Sequence, residues 1–249
     1  MQINHFMTYV EKYDTPLVDA TTPSLEALKA YSLGRKKMAT EGDTAALPFF
    51  VRAIELDPNF AISGNLKFAS ADANAALKLA PNRYVREMAA LITAQKGDTS
   101  AAEKMAAALD KDFPLDTLVQ RYWLPATRAA IALKHKAPGP AVEVLQVSNA
   151  IELGQRHLVV VYLRGEAYLM LHDGSHAATE FQKFIDNRAL AANSEWGALA
   201  RLGLARAYAM QGDTTKARLA YQDFLTLWKD ADQDLPTLIS AKREYAALR

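Results

Sequence analysis

The chain resembles itself at a fixed offset of 40 residues, and this periodicity restricts it to a stack of similar units. Gly165, Tyr168, Ala177, Phe181 and Phe184 recur in kind at Ala205, Tyr208, Ala217, Tyr221 and Phe224. Within each set a small residue is followed by an aromatic 3 on, alanine 12 on, an aromatic 16 on and phenylalanine 19 on. Repetition at this scale means supersecondary units that cannot bury their apolar faces alone and bury them against one another. Surfaces built this way bind other molecules more often than they transform them.

Composition narrows the class of action. Half of the 249 residues are hydrophobic, which supplies a substantial core, and the abundant alanine favours helices that approach closely. Lys+Arg 29 against Asp+Glu 28 leaves the net charge near zero, so there is no global electrostatic case for nucleic acid. The absence of cysteine rules out disulfides, thiolate chemistry and thiolate metal sites. The longest apolar runs, such as Leu158 to Leu163, fall far short of the roughly 20 residues a membrane helix needs. Met1 to Tyr13 carries no basic-then-apolar export pattern, so a cytoplasmic protein is expected, without membrane insertion.

Helical pairs account for most of the chain. Near the N-terminus Ser24 reads as an N-cap, with Leu25, Leu28, Leu33 and Met38 at helical intervals. Glu41-Gly42-Asp43-Thr44 ends that helix and caps the next, which runs through Ala46, Phe49, Phe50, Ala53, Ile54 and Leu56 to a stop at Asp57-Pro58. Pro48 is tolerable in the first turn. After the last unit, Leu235-Pro236 to Leu248 reads as an amphipathic capping helix with Lys242, Arg243 and Glu244 exposed.

These residues resemble a tetratricopeptide (TPR) repeat. The motif's small residue, alanine, aromatic, second alanine and closing proline match Gly34, Ala46, Phe50, Ala53 and Pro58. Gly165/Ala177/Phe181 and Ala205/Ala217/Tyr221 match as well, with phenylalanine in place of the second alanine. A weaker match runs from Ala90 through Gly97-Asp98, Ala102 and Ala106 to Pro114. Another, from Ala129 to Ala141 and Leu145, is interrupted by Pro125 and by Pro138-Gly139-Pro140. The resemblance implies an all-α fold, a TPR-like α-α superhelix (a helical-hairpin solenoid) closed by a C-terminal capping helix. The organisation expected is a lead-in segment over 1–20, a repeat over 21–58, a truncated repeat or linker over 59–81, repeats over 82–234 and the capping helix over 235–249.

A more specific resemblance rests on longer phrases. YDTPL (Tyr13–Leu17), TTPSLEALKAYSLGR (Thr21–Arg35), ALPFFVRAIELDPNFA (Ala46–Ala61), FPLDTLVQRYWLP (Phe113–Pro125), RGEAYL (Arg164–Leu169) and LGLARAYAMQGDTTKARLAYQDFLTLWKDAD (Leu202–Asp232) are similar to the TPR-rich C-terminal region of acidobacterial-type serine/threonine protein kinases. Members of that family carry a kinase domain ahead of the repeats. Here the H-R-D and D-F-G signatures are absent, as are phosphate-binding glycine loops and a G-x-S-x-G elbow, so no catalysis and no cofactor are expected.

Few other residues suggest chemistry. His172 and His176 stand four apart, a spacing that could hold a metal on one helix, but Asp173-Gly174 places a turn between them and no third ligand is near in sequence. No metal site is therefore expected. Asp230, Asp232 and Asp234 read as a solvated linker with a helix-capping Asp, and Arg35-Lys36-Lys37 as a solvated face. Trp123, at helical spacing from Ala126, Ala130 and Leu133, reads as core.

What the TPR resemblance implies about binding is a concave groove lined by the first helix of each pair. The positions concerned are Tyr31, Arg35 and Met38; Tyr84 and Glu87; Tyr162, Glu166 and Met170; Leu202, Arg206 and Met210. Aromatics and methionines would give adaptable apolar contact there, and Arg and Glu orientation. The expected function is a non-catalytic scaffold holding a protein or peptide ligand, or alternatively a detached sensor or interaction module of a bacterial serine/threonine kinase pathway. The short spacing between Pro58 and Pro81 implies a truncated unit near Asn65 whose unmatched apolar edge would favour homo-oligomers.

Overall fold

Among the described residues, the first helix of each pair from residue 82 onward ends in one repeated kind of turn. At Gly97, Lys136, His172 and Gly212 the backbone is left-handed, with φ of 98°, 56°, 57° and 77°. After three of these residues an aspartate follows: the carboxylates of Asp98, Asp173 and Asp213 accept the N–H groups of Ala101, His176 and Lys216 at 3.1, 3.0 and 3.0 Å. The left-handed residue closes one helix, and the aspartate satisfies an amide that the next helix leaves orphaned. Glycine adopts this conformation freely, whereas His172 and Lys136 pay about 1 kcal/mol for their Cβ. His172→Gly is accordingly expected to raise stability by roughly 0.5–1 kcal/mol, measured by urea denaturation, with helical content unchanged.

The structure is a computed structural model that describes residues 82–248 apart from 156, 192–195 and 230, together with separate positions between 26 and 77. The chain divides into two compact units, Met1–Ser63 and Gly64–Arg249. In the first, the described positions from Glu26 to Lys37 and from Pro48 to Leu56 are helical, and Ala27 is buried. The Glu41–Thr44 turn lies outside the described residues, as does the truncated segment near Asn65.

In the second unit the helices are α1 Arg83–Lys96, α2 Thr99–Asp112, α3 Leu124–Lys134, α4 Pro138–Leu145, α5 Val159–Met170, α6 Gly174–Asp186, the short α7 Arg188–Ala191, α8 Trp196–Met210, α9 Thr214–Leu227 and α10 Pro236–Ala247. The described residues contain no strand. Each helix packs on its chain neighbours: α1 on α2, α3 on α4, α5 on α6, α8 on α9. The first members of the pairs also stack in succession, α1 on α3, α3 on α5, α5 on α8, and α10 closes the series against α9. The fold is therefore all-α, with the sequential packing of a helical-hairpin solenoid. Among the described residues no helix is long and apolar enough to cross a membrane.

The residue types behind the repeat have a packing reason. Ala90, Ala102, Ala106, Ala129, Ala141, Ala177, Ala205 and Ala217 are all buried at helix contacts. Phe181 lies fully buried between two glycines on neighbouring helices, Gly165 of α5 and Gly203 of α8. A Cβ added to Gly165 would sit 2.8 Å from the ring's Cε1 and Cζ, and one added to Gly203 would sit 2.6 Å from Cε1 and Cε2. Both distances are inside van der Waals contact, so the ring occupies the space two side chains would need. A bare TPR pair spans about 34 residues. The surplus in the 40-residue period falls in the connection that carries α7, which accepts the His157 N–H at Leu190 O, 3.4 Å away.

The prolines of the third pair do not interrupt it, contrary to the reading from sequence. Pro138 occupies the first turn of α4, where no helical N–H is lost, whereas Pro125 lies inside a helical run that is continuous from 117 to 134, and the Arg121 carbonyl one turn before it accepts the Ser148 hydroxyl at 2.7 Å instead. A π-helical turn, Val119–Trp123, feeds α3, and it buries both Tyr122 and Trp123. Tyr122 accepts the Val159 N–H at 3.1 Å and so ties this turn to the start of α5. At the C-terminal end, two expectations are corrected. Leu235 is the residue flanking α10 and makes no side-chain cap, so Asp234 does not cap that helix, and Pro236 takes its first position. Lys242 and Arg243 are exposed as expected, but Glu244 is half-buried.

Candidate functional site

Tyr162, Glu166 and Met170 stand four apart on α5, and Leu202, Arg206 and Met210 stand four apart on α8, so each trio follows one helix face. Because α5 and α8 pack together, the trios form adjacent rows. Met170 and Met210, which differ by one period, are each 39% exposed. Tyr162 lies between rings, 5.9 Å from Phe181 and 4.8 Å from Trp196 between centroids. Leu202 is only 1% exposed and belongs to the core, which corrects its assignment to an open groove. It buries there because α8 is apolar around most of its circumference.

Arg206 is engaged within the chain. Its Nε and Nη2 donate to the two carboxyl oxygens of Glu244 at 2.9 and 3.0 Å, a bidentate pair that reaches from α8 to α10. Tyr221 Oη and Ser240 Oγ donate to the same carboxylate at 2.8 and 2.6 Å. Burial pulls the Arg206 guanidinium down, but the bonds and charge of Glu244 outweigh it, so the net shift is upward. For Glu244 the sign reverses: burial pushes up, and its donors bring the carboxyl below the usual range. Glu166 is half-buried beside this cluster, and burial pushes its carboxyl up against the opposing charge of Arg206 and a hydrogen bond from Tyr162.

Next to the cluster is an open cleft of about 420 Å³ lined by Leu169, Arg206, Ala209, Met210, Tyr221 and Glu244. Leu169, Ala209 and Met210 make its apolar wall, and Arg206, Tyr221 and Glu244 its polar one. Reading the sequence missed Tyr221 and Glu244 here. The repeat pattern makes Tyr221 a packing aromatic and the amphipathic pattern makes Glu244 a solvated charge, and only the return of α10 against α9 brings them together.

The other candidates separate. Tyr84 is 52% exposed and meets Trp123 edge-on at 6.4 Å. Glu87, expected in the groove, is 1% exposed and is corrected to a buried carboxyl between α1 and its neighbours. Tyr31, Arg35 and Met38 lie outside the described residues. His172 sits on the left-handed turn and His176 in the first turn of α6, so the two do not share a helix. His176 is held by Asp173, 2.6 Å from Nδ1, and stacks on Tyr168 at 5.0 Å. Among the described residues there is no group of three metal-ligating side chains.

A second polar cluster, also missed from sequence, lies inside the stack. Arg164 of α5 donates to Glu152, to Glu180 at 3.0 Å, to Asn149 Oδ1 at 2.5 Å and to the Leu145 carbonyl at 3.3 Å. Lys183 completes it at 3.1 Å from Glu152 and 3.0 Å from Glu180. The cluster fastens the irregular connection between α4 and α5 to the α5–α6 pair, a structural role that leaves no group open to a ligand. No protein-family model matches this chain, and no curated protein does either.

Proposed function

We propose that this chain is a non-catalytic helical-repeat scaffold, TPR-like in its residue pattern, that holds a protein or peptide along the rows formed by α5 and α8. The observation that carries this reading is the pair Met170 and Met210, equally exposed one period apart and beside the cleft at Leu169, Ala209 and Tyr221. Soft, flexible thioethers at repeated positions suit an apolar partner surface, and the Glu166–Arg206–Glu244 cluster beside them supplies orientation. A chain with balanced charge favours protein over nucleic acid as that partner.

Arg206 and Tyr162 are poor probes of this face, since both are tied into the fold. Met170→Glu/Met210→Glu changes two exposed side chains and is expected to keep the helical circular dichroism of the parent. With the full chain as bait in its native lysate, that variant is expected to lose at least tenfold of a partner that the parent retains. Equal retention of the same proteins by both would show that binding does not use this face.

A further inference from the structure

Glu87 stands in the middle of α1 with 1% of its surface exposed, and neither carboxyl oxygen has a hydrogen-bond partner. An ionised carboxylate without donors is costly to bury, so such a group either takes a proton or draws in a cation. One turn earlier, Arg83 places Nε 3.6 Å from Glu87 Oε1. That guanidinium is committed elsewhere: Nη1 donates to Asp116 Oδ2 at 2.5 Å. Asp116 in turn accepts the N–H groups of Leu118 and Val119, each at 3.0 Å, and so organises the start of the π-helical turn that feeds α3. One guanidinium therefore stands between two carboxylates, one buried without donors and one holding a turn.

Among the described residues, the remaining ionisable groups on the elements packed against α1 are engaged or exposed. Asp112 of α2 pairs with Arg86 of α1 at 2.6 Å, and Asp110 of α2 with Arg128 of α3 at 2.8 Å. Glu103, Lys104 and Lys111 of α2, Arg121 of the π-helical turn, and Lys134 and His135 at the end of α3 are exposed. Tyr122 is buried and its hydroxyl is pushed far up, so it keeps its proton near neutrality. Thr127 of α3 adds a buried hydroxyl that also lacks a partner.

We propose that Arg83 is a proton-controlled toggle, which braces Asp116 Oδ2 while Glu87 is protonated and turns to Glu87 when that carboxyl ionises, loosening the tie between α1 and the carboxylate on which the Leu118 and Val119 N–H groups rest. Burial pushes the Glu87 carboxyl up to about 7, with Arg83 opposing and Asp116 adding to the rise. Asp116, held below the usual range first by the Val119 N–H, stays ionised throughout. The folded chain thus binds the Glu87 proton more tightly than the unfolded chain does. The stability this contributes is fully present below the ordinary value of 4.5 and is lost as pH rises through about 7. The device acts across neutral pH.

The test is a pH titration of the full chain from about 5.5 to 8.5, following the Leu118 and Val119 amides and the Arg83 Nε–H by ¹⁵N NMR. All three resonances are expected to move together with a midpoint near 7 and to stay flat in Glu87→Gln. In Asp116→Asn, Arg83 has no second partner and one like charge is gone, so the Arg83 and Glu87 midpoint is expected to fall by at least half a pH unit. A flat Leu118–Val119 response in the parent, the same transition persisting in Glu87→Gln, or an unmoved midpoint in Asp116→Asn would each overturn the toggle.

Discussion

Replacing Gly203 with alanine is expected to lower stability by about 2 kcal/mol, although alanine is the better helix former by about 1 kcal/mol. The added methyl would sit 2.6 Å from Phe181 Cε1 and Cε2, and the ring cannot retreat because Gly165 closes in from the other side. The unfavourable overlap therefore exceeds the helical gain. Gly197, on the same helix with open space around it, supplies the contrast: Gly197→Ala is expected to be neutral or slightly stabilising. Urea midpoints at constant m-value separate the two. The double change Gly203→Ala/Phe181→Leu is expected to recover most of the Gly203→Ala loss, because the smaller side chain vacates the overlap. A Gly203→Ala protein as stable as its parent would mean that the ring is not confined between these helices.

Arg164→Met is expected to cost more, about 3–5 kcal/mol, because it strands charges rather than deleting contacts. Glu152 and Glu180 are 5% and 11% exposed at their side chains, and Lys183 alone would remain to face both. The Asn149 and Leu145 acceptors would lose their donor as well. Arg164→Lys, which keeps one charge but not the fork of donors, is expected to recover part of that loss. Thermal melts of the parent and the two variants at neutral pH check the point. An Arg164→Lys protein no more stable than Arg164→Met would assign the loss to packing and not to charge.

Architecture was legible in this sequence because packing leaves a periodic trace. The small residues at Gly165 and Ala205, the alanines at 177 and 217 and the aromatics Phe181 and Tyr221 are where the helices meet, and the turn after α8 is written as Gly212-Asp213. The same turn after α5 hides behind His172, which adopts the left-handed backbone without being glycine. Pro125 and Pro138 read as breaks from sequence, but Pro138 takes a first turn and Pro125 is accommodated within a helix directly after its π-helical turn. Polar clusters left no such trace. Arg164, Glu152 and Glu180 are separated by 12 and 16 residues, and nothing in their spacing says that they share one buried site. Glu244 looked like a solvated charge because amphipathic pattern assigns it to the open side of α10, whereas Arg206 draws it inward. Glu87 was placed on a groove by its repeat position, and its burial depends on neighbours that the pattern does not name.

The last helix illustrates how unevenly such a stack is fastened. Within α10 only Leu238 and Ala241 are buried, while Glu244 alone gathers Arg206, Tyr221 and Ser240. A seam closed this way responds to different levers from the alanine-lined seams behind it: dissolved salt weakens it, and cooling, which weakens apolar burial, leaves it comparatively untouched. Added salt is therefore expected to loosen the seam of α10 before the alanine-lined seams.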